Sequence, residues 1–428
     1  MRVTRRQWLG LIGAAGAATQ LAGCALVGEV TALVVEVEPT RALVAVWASN
    51  ALTVDLRVTT AAGVEVLTTS LSVDRRGHAT VDLVDLTPAT GYRVHLTASD
   101  DARYGPAAFV TAPADDDPRP MRFAVGADVD PAPEYVTAMF DTIAAAAPDL
   151  CVMLGDWPYT DNWPPAIERL DYERRHAEVR LAPSMQPWLR ACSFRAIYDD
   201  HEFGNDWDGA ARALDPRRHA TALAAWDAWF PRRGDGPRYR RWRWGALVEC
   251  FLLDCRAYRS ANTAVDGPDK TMLGAAQLRW LVDGVRASTA PFKLIFTSVP
   301  LDYGIGDDHW ATFAHERDAL LDALAADAPR GVLFVAGDQH WFASHVHRHG
   351  ARELQVGPLA RGPFAVPPPQ PGVRARIEGY SVGLIDVTPE PRLRFRALDP
   401  DGAVLHDESF TPDDLALVVA PRHPPRPE

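Results

Sequence analysis

The chain has 428 residues, 47% of them hydrophobic and 23% charged, an ordinary globular composition with room for two domains. A net charge of −12 excludes recruitment to nucleic acid or to an anionic membrane by bulk electrostatics, so no nucleic-acid-binding surface is expected.

Residues 1–24 read as an export signal. "TRRQWLG" (4–10) sets a twin arginine before an apolar run too short to span a membrane, in the manner of a Tat signal. The run ends in "LAGC" (21–24), which resembles a lipobox and would make Cys24 the lipidated first residue of the mature protein. A plain cleaved signal with an incidental Cys24 is the alternative. Either way the protein is expected outside the cytoplasm, periplasmic or at the cell surface, and membrane contact is expected only through the lipid anchor that Cys24 would carry. The remaining cysteines, Cys151, Cys192, Cys250 and Cys255, sit in or beside apolar segments without Cys-x-x-Cys spacing and are expected to be buried free thiols.

From residue 30 to 115 short alternating segments follow one another, among them "ALVAVWAS", "LTVDLRVTT" and "YRVHLTAS", separated by Gly, Asp, Asn and Pro turns. This predicts a small all-β sandwich, and "LVDLTPATGYRVHLTA" resembles a fibronectin-III-like corner. With no catalytic cluster in it, the segment reads as an interaction or positioning module. "APADDDPRP" (112–120) is a linker by composition.

Over 119–415 strands alternate with helices, which predicts an α/β (α+β) domain, a mixed sheet flanked by helices. Strands are expected at 122–128, 150–156, 193–199, 247–254, 292–300 and 331–338, and helices at 133–147, 220–230, 274–288 and 314–327. A late antiparallel pair, 381–388 and 392–399, closes the sheet. The tryptophans of 226–244 are expected to pack, with pocket lining as the alternative.

Strand after strand in this region ends in an acid: Asp128, Asp156, Asp199 with Asp200, Asp254 and Asp338. Ligands of open α/β sheets bind beyond the carboxyl ends of strands. Carboxylates converging there repel unless a cation lies between them. A metal site follows.

Asp156 can bridge two ions, the clamp used in phosphoryl transfer. Tyr159 offers a phenolate suited to a hard trivalent ion, or simply packs beside Pro158. Asp338 and His340 can reach one site from a turn, whereas His345 and His347 read as surface or supporting residues. In "AIYDDHEFGNDW" (196–207), Asp200 and His201 form the best pair, one ligating while the other protonates a leaving oxygen. Glu202 and Asp199 are expected to stand behind the ligands. Arg256 is a candidate phosphate clamp, or the partner of Asp254 in an ion pair.

These blocks resemble the PhoD-like (alkaline phosphatase D) metallophosphatases, of the calcineurin-like phosphoesterase superfamily. "LGDWPYTD" is similar to the family's GDxxY block, "IYDDHEFGND" to its DDHE…N block and "GDQHWF" to its GDxH block. "LDCRAYRS", "LGAAQLRWL" and "DDHWATFAHERDALL" fall in order between the last two. The resemblance implies a metallophosphoesterase fold and an exported phosphoric ester hydrolase, in which a metal-bound hydroxide attacks a small-molecule or polymer phosphate ester. Two or more metal ions are implied, iron plus calcium being the family arrangement. Asp156 would bridge them, Tyr159 and His340 would hold iron, and Asp200, Asn205 and Asp338 would serve the second ion, with His201 as acid. Whether Asn205 or Asp206 ligates is open. One block departs from the pattern: "FAVGADVD" puts Asp128 where the family has a cysteine ligand, and Asp130 where the superfamily has a histidine. A carboxylate there favours harder ions, so manganese or another divalent ion is open. The alternatives are a phosphodiesterase of phospholipid or wall-polymer diesters, and a non-catalytic surface lipoprotein with a structural metal site.

Overall fold

The computed structural model describes residues 28–131 and 138–419. The export signal with Cys24, and the start of the helix expected from residue 133, lie outside the described residues.

The first strands are β1 (Val30–Val35), β2 (Ala42–Ala48), β3 (Thr53–Thr60), β4 (Glu65–Ser72), β5 (His78–Leu83), β6 (Gly91–Ala98) and β7 (Arg103–Val110). β8 (Met121–Gly126), β9 (Leu150–Met153), β10 (Ser193–Ala196), β11 (Arg240–Trp244), β12 (Val248–Leu252), β13 (Phe292–Thr297) and β14 (Val332–Ala336) follow. The last are β15 (Trp341–Val346), β16 (Arg352–Gln355), β17 (Val373–Glu378), β18 (Val382–Thr388), β19 (Arg392–Leu398) and β20 (Val404–Phe410). The helices are α1 (Met139–Ala146), α2 (Arg169–Leu181), α3 (Gln186–Leu189), α4 (Gly209–Leu214), α5 (Pro216–Trp229), α6 (Gly274–Ala287) and α7 (Ala314–Ala325). Among the described residues no helix is long and apolar enough to cross a membrane.

A nine-stranded sheet runs β20-β19-β18-β8-β9-β10-β1-β2-β5 and a seven-stranded sheet runs β11-β12-β13-β14-β16-β15-β17. One apolar core lies between them, with Phe123 of β8 edge-on to Trp244 of β11 at 5.2 Å and Phe342 of β15 stacked on Phe395 of β19 at 6.0 Å. The α/β architecture, the six core strands and the late antiparallel pair agree with the sequence. Trp226, Trp229, Trp242 and Trp244 are all buried in that core, so they pack.

The segment 30–115 does not close as a free-standing fibronectin-like sandwich. β3, β4, β6 and β7 form their own four-stranded sheet, but β1, β2 and β5 extend the nine-stranded sheet, β1 lying parallel to β10. The cause is legible in β1, "VTALVV", buried at every position. A strand apolar on both faces belongs inside a sheet, not at its edge. β4, at the rim of the four-stranded sheet, shows by contrast the half-exposed alternation of an edge strand. The corner itself is present, since the Tyr92 hydroxyl accepts the Thr87 N–H at 2.8 Å.

α2 escaped the sequence reading because its buried face carries Tyr172, Glu173, His176, Ala177 and Arg180 instead of an apolar stripe. Glu173 meets His78 at 2.7 Å, and the Arg180 guanidinium lies 4.6 Å over Trp157 and 4.9 Å over Trp229. Polar partners and cation–π contacts replace hydrophobic periodicity there.

The β1–β10 seam carries a buried charge cluster. The Glu36 carboxylate binds Arg195 on one oxygen and Arg240 on the other at 2.9 Å, and Arg195 also donates to Val37 O at 2.9 Å. Glu36→Ala leaves two buried guanidiniums short of a counter-charge and is expected to cost about 3–5 kcal/mol. Urea unfolding measures this; a variant as stable as the parent would show that the seam does not depend on the cluster.

Candidate metal centre

The crevice forms where β8, β9 and β10 of one sheet and β14 of the other end. Each strand hands over to a short loop whose ligand-type residue follows within four positions: Asp128, Asp156, Asp199 with Asp200, and Asp338 with His340. Asp128, Asp156, Asp338 and His340 all have positive φ, between 56° and 78°. That conformation costs a residue with a side chain about 1 kcal/mol or more and persists where surroundings over-determine it. The surroundings do so here. Val129 N–H donates to Asp156 O at 2.8 Å, and Glu202 accepts the N–H groups of Asp156, Trp157 and Asp199 at 3.1, 2.8 and 2.9 Å. Gly155, at φ +116°, passes so close to the next loop that a Cβ would lie 2.7 Å from Asp199 N.

Asp128, Asp156 and His340 bring one ligand atom each within 4.8 Å of one another, and Asp156, Asp200 and His201 do the same. Asp156 is common to both groups. His340 Nδ1 donates to Gly362 O at 2.7 Å, which leaves Nε2 as the bare nitrogen, 3.0 Å from the Tyr159 hydroxyl and 3.7 Å from Asp128. Both carboxylate oxygens of Asp128 and one of Asp200 are buried with no hydrogen-bond partner.

Burial first, then neighbouring carboxylates, pushes Asp128, Asp156 and Asp338 well above the usual carboxylate range. Burial, with Asp156 and Asp128, does the same to the Tyr159 phenol. Anions so placed call for cations, and the oxygen and imidazole donors suit hard to borderline ions, iron and manganese included.

His201 faces the same space. Its Nδ1 lies 2.9 Å from both oxygens of Asp161, and its ring is 4.2 Å from Tyr159. Burial works against the charged imidazole, but Asp200 and Asp161 outweigh it and hold the pKa up at about 9. Asn205 also lines the crevice, exposed, its backbone N–H on Asp161 at 2.9 Å and its amide on Asp206 at 2.7 Å. Asp206 belongs to neither ligand group, and its own N–H donates to Asp200.

Several expectations change. Arg256 is not available as a phosphate clamp: it is fully buried, with every guanidinium N–H engaged by Asp199, Asp308 and Trp207 O. Its ion-pair partners are those aspartates, not Asp254, which instead accepts the N–H groups of Arg256 and Ala257 in a turn. Asp254 therefore lies outside the crevice groups although its strand ends like the others. Asp338 clusters with Asp199, Asp200 and Asp308, away from the Asp128 group. Asp130 is not in a ligand group either; it binds Arg361 and the Asn162 amide. His345 and His347 are buried at a separate place.

Asp161, Asp308 and Arg361 were missed. Asp161 closes the quoted "GDWPYTD" block, five residues past Asp156, but sits on a loop that the strand-end rule does not cover. Asp308 stands in "GIGDDHW", where the doubled acid in a glycine-rich loop was the available signal. Burial would raise its carboxyl, yet Arg256 and Arg259 hold it down at about 2. Arg361 lies 4.3 Å over the Tyr159 ring, donates to Asp130 and Asn162, and lines the crevice.

The model of the family described as PhoD-like phosphatase matches residues 123–407. Alkaline phosphatase D of Bacillus subtilis (strain 168) is 26% identical over 264 residues, which cover 50% of this chain and 45% of that protein. The match thus spans under half the length of that curated relative. The solved structure of PhoD superposes with a TM-score of 0.79 at 18% identity, covering 91% of each chain. A purple acid phosphatase from yellow lupin (Lupinus luteus) seeds superposes with a TM-score of 0.69 at 12% identity, covering 94% of this chain and 78% of that one. At these identities the two structures establish a shared fold.

Glu202 ties the Asp156 and Asp199 loops together, so Glu202→Gln exchanges one accepting oxygen for a donating amide facing N–H groups. The expected result is a loss of about 1–3 kcal/mol in stability together with weaker metal retention. Denaturant unfolding and metal analysis after dialysis check it; unchanged retention would show that the ligands are placed without this carboxylate.

Proposed function

We propose, from the premise that this chain belongs to the PhoD-like phosphatase family, that it hydrolyses phosphate esters in the crevice built on Asp156. The observation that carries the proposal is the sharing of Asp156 between two ligand groups flanked by buried, unpartnered carboxylate oxygens. Asp128, Asp156, Tyr159 and His340 would hold one cation, and Asp156 and Asp200, with Asn205 and Asp338 at the margin, the second. When bound, such cations supply Lewis acidity at the phosphoryl oxygens and acidify water at neutral pH.

The chain's own residues do the rest. His201, oriented by Asp161, keeps Nε2 to pass a proton to the leaving oxygen as the P–O bond breaks. Arg361, steadied by Asp130 and Asn162, contributes positive charge at the crevice wall in the role first given to Arg256. Buried Arg256 neutralises Asp199 and Asp308, which lets the other acids serve the cations.

Iron with calcium is the pairing carried over from the family resemblance. The carboxylate of Asp128 favours hard ions, and manganese fits the same donors. Export by a Tat signal, anchoring at Cys24, and a positioning role for residues 30–115 complete the proposal. A diesterase acting on phospholipid or wall-polymer linkages is the second reading, favoured by the open cleft running from Tyr159 and Arg361 past Asn162, Trp163 and Arg175. A non-catalytic lipoprotein with a structural metal is the third.

The deciding experiment measures hydrolysis of p-nitrophenyl phosphate and bis-p-nitrophenyl phosphate, with metal analysis of the same preparation. Wild type is expected to turn over at least one ester, and Asp156→Ala to lose the crevice metal and turnover. No metal and no activity would overturn the enzyme reading, while turnover of the diester alone would favour the second. Arg361→Met is expected to lower kcat/KM about 10-fold or more through KM with the metal content intact, as loss of a charge-assisted contact would do.

A further inference from the structure

Away from the crevice, the β15–β16 hairpin gathers two histidines and a glutamate in the protein interior. β15 and β16 are antiparallel, with His345 directly opposite Glu353 and Val346 opposite Arg352. The pairing continues past the strand end, since His347 N–H donates to Ala351 O at 2.8 Å. Residues two apart on a strand share a face, and directly opposed residues of antiparallel strands do too. His345, His347 and Glu353 therefore project from one face of two neighbouring strands. Their ligand atoms, one from each, lie within 4.8 Å of one another, and none of the three belongs to the Asp156 groups. His345 and Glu353 are 2% and 0% exposed, and the His347 side chain 4%.

The hydrogen bonding prepares these groups for a cation. His345 Nε2 donates to Pro371 O at 3.1 Å, which fixes the tautomer and leaves Nδ1 as a bare lone pair. That Nδ1 is buried with no partner. Glu353 accepts the Leu301 N–H on one oxygen at 2.7 Å and faces His347 Nε2 at 2.9 Å with the other. Metal-bound histidines and carboxylates are held from behind in this way.

An ordinary His347–Glu353 contact explains part of the cluster and leaves the rest over. It gives no partner to His345 Nδ1, a buried omission of about 1–3 kcal/mol. It also leaves two imidazole rings 4.0 Å apart with no hydrogen bond between them. Burial, then the neighbouring His347, lowers the pKa of His345.

We infer that His345, His347 and Glu353 form a separate binding site for a zinc-like divalent cation that staples the β15–β16 hairpin. Two imidazoles and one carboxylate suit Zn2+, or Co2+ in its place, in a tetrahedral arrangement. Ca2+ and Mg2+ require oxygen-rich shells that these residues do not provide. Asp302, itself paired with Arg317 at 3.3 Å, stands close enough to act on His345 and adds negative charge to the neighbourhood. The role is structural. β15 begins at Trp341, immediately after His340, so an ion clasping its far end steadies the strand from which His340 is presented.

The test uses the full chain and zinc sulfate, and its readouts do not depend on ester hydrolysis. Wild type, Asp156→Ala and the double variant Asp156→Ala/His347→Gln are equilibrated with zinc, dialysed, and analysed for bound metal and thermal unfolding. Asp156→Ala, which has lost the ligand common to both crevice groups, is expected to keep one zinc equivalent and a zinc-dependent rise in Tm that Asp156→Ala/His347→Gln lacks. Equal zinc in these two variants, with equal Tm shifts, would overturn the inference. If the double variant does not fold, anomalous scattering at the zinc edge from wild-type crystals decides instead. A peak between His345, His347 and Glu353 supports the site, and zinc confined to the Asp156 crevice rejects it.

Discussion

Mutual repulsion among buried carboxylates is the constraint around which this molecule is organised. Asp128, Asp156, Asp199, Asp200, Asp308 and Asp338 occupy one end of two facing sheets, nearly all of them shielded from water. Left uncompensated, such charges would drive one another to the protonated form. The protein divides the task. Arg256 and Arg259, buried beneath the crevice, answer Asp199 and Asp308 with direct hydrogen bonds. Asp128 and Asp200 keep carboxylate oxygens with no hydrogen-bond partner, and Asp156 is shared by two groups of possible ligands.

The scaffold is as exacting as the charges are hostile. Left-handed backbone at Asp128, Asp156, Asp338 and His340 turns each side chain back across the end of its strand. That geometry survives because the loops are tied to one another, by Glu202 across the β9 and β10 loops and by Gly155 beneath Asp199. Trp157, the neighbour of Asp156, is clamped between Trp188 at 5.0 Å and the Arg180 guanidinium. Local backbone strain is thus balanced by packing directly behind these residues.

Much of this was legible in the sequence, and the exceptions have physical causes. A strand closing on an acid is a local pattern, so Asp128, Asp156, Asp200 and Asp338 could be read off one at a time. Arg256 could not, because an arginine that clamps phosphate and one that neutralises two buried aspartates look alike until their partners are known. Asp308 and Arg361 reach the crevice from loops distant in sequence, where no periodicity announces them. β1 was read as part of a separate sandwich because a short run such as "VTALVV", with one threonine among five apolar residues, looks alike in any two-layer fold. Its parallel partner, β10, lies more than a hundred residues downstream. α2 hid its burial behind charged residues whose counterparts come from other elements.

The interleaved sheet has a consequence for how the chain comes into being. Glu36, beside β1, pairs with a residue 159 positions further on, and Arg122 of β8 pairs with one 264 positions on. A chain emerging from the ribosome cannot finish its N-terminal third and move to the next, because β1 and β8 each wait for neighbours not yet made. Folding dominated by such distant closures is slow and leaves sheet edges open for long periods. The crevice, which needs β8, β9, β10 and β14 together, is then among the last features to exist. A partly made molecule has no weakened version of it, only scattered acids on unfinished strands.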